Sequence, residues 1–153
     1  MGNKMIGPVR DATINVIATM AMVSPVAGEA FVKTNKKSKG DVSGVIGLAG
    51  PKKGVIVLSF SAGAICRIVG GMLGMEYTAI DQDVADAVGE LANMISGDAR
   101  RRLHEMGLDF EAGLPTVVQG PGHEIESVTN GPVWAIPFKV DGHEFEVEAS
   151  LDE

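Results

Sequence analysis

Two apolar, β-branched runs meet at Gly50-Pro51-Lys52-Lys53-Gly54 within GVIGLAGPKKGVIVLSF (44–60), and no other segment constrains the fold as much. Residues of this kind suit a pleated, covered surface, and a turn this short can only return the chain antiparallel to itself. An antiparallel sheet is therefore required. PVWAIPFKVDGHEFEVEASL (132–151) supplies a second hairpin, turned by Asp141-Gly142. LPTVVQG (114–120) reads as a further strand, and GEAFVKTNKK (28–37) alternates weakly, as a strand running into a basic loop.

Helical patterns separate these strands. VRDATINVIATMAMVS, from Pro8 to about Ser24, has proline in its first turn and Pro25 to stop it. It is apolar around much of its circumference and should be well buried. SAGAICRIVGGMLG (61–74) is a short helix punctuated by Gly70, Gly71 and Gly74. The best-specified helix is IDQDVADAVGELANMISGDARRRLHEMG (80–107), with aspartates at its start and Arg100, Arg101, Arg102 and His104 near its end, both complementing the helix dipole.

INVIATMAM (14–22) aligns with VGELANMIS (88–96), and each precedes a β-hairpin, so the chain carries a weak internal repeat. It places Val16 and Thr19 where the second half has Glu90 and Asn93. The expected fold is α+β, one domain over residues 1–153: an antiparallel sheet from two pseudo-repeated helix-plus-hairpin halves, with two long helices side by side on one face.

Composition narrows the partners. At 153 residues the chain can bury one real core. Its 13 basic and 20 acidic residues leave a net charge of −7, which argues against nucleic acid or an anionic membrane as the main partner. The single cysteine, Cys66, cannot form an intrachain disulfide and fits a reducing cytoplasm, as does the lack of an uninterrupted apolar run at the start. It reads as a small core residue.

The 80–107 helix raises a question that the rest of the chain does not. Asp83, Asp86, Glu90, Asn93, Gly97 and Arg100 recur at three- and four-residue spacing, opposite the apolar row Val84, Val88, Leu91 and Ile95. Glycine inside a helix costs about 1 kcal/mol relative to alanine, and a face meant only for solubility would carry lysine, glutamate or glutamine. A carboxylate three residues before a carboxamide offers charge to a cation and an amide able to hold a water. Solvated helix faces show the same spacing, so spacing alone leaves a docking face and a solvated face both open.

Asp86-x-x-x-Glu90-x-x-Asn93, followed by Met94 and Gly97 and by Pro115 about twenty residues on, resembles the signature of the CheC/CheX/FliY phosphatases of bacterial chemotaxis. The likeness runs from Ile14 through Pro115, and a single active copy of the motif is similar to the CheX arrangement. It implies a CheC-like fold and hydrolysis of the aspartyl phosphate on a phosphorylated CheY-like response regulator. Asn93 would orient the attacking water, Glu90 would pair with the regulator's active-site lysine, and Asp86, Asp83 and Gly97 would be partner contacts. No cofactor of its own is implied, because the regulator supplies Mg²⁺. The resemblance also implies a homodimer through sheet edges, and the apolar strand VWAIPF of the terminal hairpin is the expected edge. The alternative is a non-catalytic module that docks a response regulator or flagellar-switch component through the same helix.

Other chemistry is poorly supported. His104, His123 and His143 lack zinc-ligand spacing. QGPGHE (119–124) has no P-loop lysine or following helix, so a turn accounts for it better. Ser59 and Ser61 suit helix capping, and Trp134 suits either core or interface.

Overall fold

A computed structural model describes residues 2–35 and 37–153; Met1 and Lys36, the latter at the basic end of the 28–37 segment, lie outside the described residues. A 3₁₀ turn at Gly2–Met5 leads into α1 (Ile6–Ala21), β1 (Val26–Ala27), β2 (Phe31–Val32), β3 (Lys37–Ala49) and β4 (Gly54–Phe60). Then come α2 (Ala62–Leu73), α3 (Gln82–Glu105), β5 (Glu111–Ala112), β6 (Thr116–Glu126), β7 (Val133–Val140) and β8 (His143–Leu151). The fold is α+β. One antiparallel sheet runs β1-β7-β8-β4-β3-β5, with β2 also on β7 and β6 also on β3.

Both hairpins form as read. β4 pairs β3 from Gly54↔Leu48 to Phe60↔Val42, and β7 pairs β8 around Asp141-Gly142, both with positive φ. The helices share one face of the sheet, where Ile56, Leu58 and Phe60 of β4 join Ile136, Phe138, Phe145 and Val147 in a core closed by Ile17, Ile65, Leu91 and Ile95. Phe145 lies 5.1 Å from Phe60 and 5.0 Å from Phe138, a three-ring contact across β4, β8 and β7. As expected, α1 and α3 pack side by side.

Every residue of β4 is buried, so the second face of the sheet is covered too. Ile125 and Val128 line a small cavity together with Val55 and Val57 there. Deeper on that face, Glu148, 3% exposed, accepts from Ser38 Oγ and from Lys33 Nζ at 2.6 Å, while Lys33 also reaches Glu146 at 3.1 Å. Burial pushes the Glu148 carboxyl above its ordinary range despite Lys33. For Lys33, burial acts downward, but the two glutamates outweigh it and leave the ammonium above its usual value.

Several expectations change. Among the described residues of the weak 28–37 segment only β2 and the first residue of β3 are strand, and β1 lies just before it. β1 and β2 both sit on β7, where Pro137 has no N–H to donate outward and interrupts the ladder between them, its carbonyl accepting from Gly28 N at 2.7 Å. The terminal hairpin is therefore not a bare edge: β8 lies inside the sheet, and β1 and β2 cover β7. Among the described residues, the uncovered long edge is β6. QGPGHE is no turn but a bulge within β6, where Gly120 (φ 140°) and Gly122 (φ 65°) oppose the register shift at Gly40/Val42, and Asp41 Oδ1 accepts from Gly122 N. Residues 44–49 are the second half of a longer strand. α1 ends at Ala21, earlier than expected, with Met22 in the left-handed region at φ 56°, a conformation costing about 1–2 kcal/mol for a residue with a Cβ.

Ser61 caps α2 by accepting from Ala64 N, but Ser59 is buried in a chain of hydrogen bonds with Ser43 (3.0 Å) and His123 (2.8 Å from Ser43). Trp134 is half-buried, and so is Cys66, which packs against the core; burial pushes its thiol pKa up.

α2 meets the end of α1 at Gly71, where an added Cβ would stand 2.2 Å from the Ala21 carbonyl oxygen. Gly71→Ala should thus destabilise the protein by about 1–3 kcal/mol in urea titration. Gly47→Ala, which meets nothing within 4 Å, should stay within about 0.5 kcal/mol of wild type.

Candidate functional site

α3 is specified at both ends. Asp81 accepts from Val84 N at 3.0 Å as N-cap, and after the last turn Gly107 (φ 82°) and Leu108 return hydrogen bonds to the carbonyls of His104 and Leu103. Its apolar row, Val84, Val88, Leu91 and Ile95, is fully buried. On the sheet side β3 presents Gly44, where a Cβ would lie 3.1 Å from Ala92 Cβ and 3.3 Å from Val88 Cγ1. The bare backbone lets α3 lie close. On the helix Gly89 faces Val117 and Pro115 at ordinary contact distance, so the distant proline of the motif comes to rest one residue from Glu90.

The opposite row carries the predicted residues. Asp83, Asp86, Glu90 and Asn93 are exposed, and Gly97 is half-buried. Asp86 accepts from Gln82 Nε2 at 2.8 Å. Asp83 lies beside Tyr77, whose hydroxyl pKa is pushed up by desolvation and by the charges of Asp83 and Asp81. Among the described residues, neither Glu90 nor Asn93 makes an intramolecular hydrogen bond or ion pair. Gly97 has open space above it, the nearest atom to an added Cβ being Arg100 Nη2 at 3.9 Å. Nothing inside the fold calls for glycine there. In the repeat, by contrast, Val16 is buried against the core, and only Thr19 is exposed.

What composition and spacing did not reveal is how α3 is held along its length. Asp98 accepts from Arg101 Nη2 at 2.7 Å, from Arg102 Nε at 3.2 Å and, across to α1, from Asn15 Nδ2 at 3.3 Å. The arginines three and four residues on were a readable signal for the local bonds; the partner on α1 left none. Gly44 was likewise hidden, as one glycine among many in a strand.

Chemically, the outer row offers a carboxylate and a carboxamide with all their hydrogen-bonding capacity unspent. Among the described residues no group of His, Cys, Asp and Glu converges into a metal-binding set, and no helix is long and apolar enough to cross a membrane. Such a surface has the chemistry to complete a site on a partner, not to form an enclosed one of its own.

The sequence profile of the family described as chemotaxis phosphatase CheX matches residues 42–139. The CheY-P phosphatase CheX of Thermotoga maritima is 29% identical over 97% of this chain and 94% of its own. The crystal structure of a chemotaxis protein CheX from Desulfovibrio desulfuricans superposes with a TM-score of 0.92 at 46% identity, covering 97% of this chain and 99% of that one. The CheX–CheY–BeF₃–Mg²⁺ complex from Borrelia burgdorferi contains a chain that superposes at 0.79 with 27% identity, covering 97% of each chain.

Burial raises the Asp98 carboxyl pKa, but its bonds to Arg101, Asn15 and Arg102 outweigh this and hold it below the ordinary 3.8. Its stabilising contribution is therefore present above that value and is lost as pH falls through the lowered pKa. Asp98→Ala should cost about 1–2 kcal/mol at pH 7. In urea titrations repeated at successively lower pH, its deficit against wild type should shrink.

Proposed function

We propose, from the premise that this chain belongs to the chemotaxis phosphatase CheX family, that it hydrolyses the aspartyl phosphate of a CheY-like response regulator through the outer face of α3. The observation that carries this reading is the exposed, unpartnered pair Glu90 and Asn93 on a helix whose opposite face is locked into the core. The T. maritima relative named as a CheY-P phosphatase supports the substrate, and the B. burgdorferi complex with CheY supports the partner.

In the reaction, a water oxygen bonds to phosphorus as the bond from phosphorus to the aspartyl oxygen breaks. Inorganic phosphate leaves and the regulator regains its carboxylate. Phosphoryl transfer of this kind is accelerated mainly by positioning and charge stabilisation. Asn93, one amide with both a donor and an acceptor, holds the water in line with the breaking bond. Glu90 pairs with the regulator's active-site lysine and fixes the register of docking. Asp86 and Asp83 extend the contact toward the start of α3, and Gly97 leaves clearance one turn beyond Asn93. Mg²⁺ comes with the regulator and neutralises charge on the phosphoryl group.

A cytoplasmic location and a homodimer joined through sheet edges belong to the same proposal. The unpaired edge of β6 is a better candidate than the covered terminal hairpin.

With a CheY phosphorylated by acetyl phosphate in Mg²⁺, wild-type protein should shorten the phosphate lifetime. Asn93→Ala should lose about 100-fold or more of that acceleration while binding stays within about threefold. A variant as fast as wild type would exclude Asn93 from the chemistry, and undiminished binding without any acceleration by wild type would favour the non-catalytic docking module. Glu90→Ala should raise KM about tenfold at low salt, with a smaller loss at high salt as the ion pair is screened. Neither change should shift the urea midpoint appreciably, because both side chains are exposed.

A further inference from the structure

One corner of the molecule exposes four large apolar side chains that the fold does not use. Met20 and Met22 flank Ala21 at the end of α1, and Leu73 and Met75 follow Gly71 at the end of α2; Gly71 is seated directly on the Ala21 backbone. Met22 is the telling member. It is 87% exposed and sits at positive φ, a position where glycine or asparagine closes a helix with less strain. Neither burial nor backbone geometry accounts for a methionine there. Unbranched and polarizable, methionine is suited to surfaces that adapt to a partner.

The corner joins the α3 face. The Tyr77 hydroxyl approaches Met75 Sδ at 3.8 Å and also stands beside Asp83, the first acid of the outer row. Asp83 and Asn93 are ten residues apart, about 15 Å along the helix axis. A standard interface of about 800 Å² per partner is roughly 30 Å across, so a domain centred on Asn93 reaches this edge.

We propose that the methionine corner is the second part of the docking surface for the phosphorylated receiver domain, and that it takes an apolar patch edged by basic side chains. This rests on the function proposed above. Charge selects the occupant. Glu76, Asp81 and Asp83 fall between Met75 and Asp86 in the chain, Asp83 adjoins the Tyr77 that reaches Met75, and the nearby Arg67 is already paired with Asp141, so cations beside the partner's apolar surface are matched here. A second copy of this chain, with net charge −7 and the same acidic border, would bring acid against acid.

The test uses the full chain and a CheY phosphorylated with acetyl phosphate in Mg²⁺. Met22→Gly relieves the strained backbone while removing the apolar side chain, so it should hold or raise the melting temperature yet raise KM severalfold, with kcat within twofold. A merely structural role would not move stability and KM in opposite directions. Met75→Glu should raise KM about tenfold, and Met75→Leu should remain within twofold of wild type. Unchanged KM in both Met22→Gly and Met75→Glu, with Asn93→Ala still slow, would overturn the corner and leave the phosphatase reading intact. Failure of the wild type to shorten the phosphate lifetime would remove that reading and the corner with it. Self-association in sedimentation that Met75→Glu abolishes, with KM unmoved, would assign the corner to a second copy instead.

Discussion

The contact on which the candidate site depends is the close approach of α3 to β3 at Gly44. Val88 and Ala92 settle against bare backbone there, and the absence of a side chain sets the height of the helix above the sheet. The outer face takes its position from that contact together with the others that grip the helix. The apolar row buries four side chains, Pro115 and Val117 close against Gly89, and Asp98 ties the far half of the helix to α1. A helix gripped along three sides projects its fourth as a rigid surface, which is what positioning a partner's reaction requires.

The sheet is held from behind by different means. Its second face buries Val55 and Val57 beside a polar system in which Lys33 satisfies both Glu146 and Glu148, and Ser38 completes Glu148. Removing one member of such a set strands the others in a poor solvent, whereas the intact set is weak evidence for added stability. Its geometric effect is plainer: Lys33, just after β2, and Ser38, at the start of β3, are both tied to β8.

How much of this was legible follows from which interactions are local. Both hairpins, the two long helices, the aspartate-rich start of α3 and its exposed row were readable, because alternation, helical periodicity and the preference for acid at a helix start act over a few residues. The failures share a cause. The break between β1 and β2 comes from Pro137, a hundred residues away in the chain. The QGPGHE bulge comes from its pairing with β3. The covered state of the terminal hairpin comes from strand order, which no local pattern encodes. For the site, Glu90 and Asn93 were visible as an odd choice on a polar face, but Gly44 and Asn15, which help to place them, are ordinary residues until the chain brings them to α3.

Among the described residues neither the Glu90 nor the Asn93 side chain makes a hydrogen bond or ion pair, and an added Cβ at Gly97 would meet nothing closer than 3.9 Å, so folding places little demand on those positions. Substitutions there leave the fold's own contacts in place. One scaffold can therefore change this face in a single step without losing its shape. The buried Val16 in the repeat shows how a matching helix position can instead be drawn into the core. The outer face and the shape that carries it are stored in separate residues of the same helix.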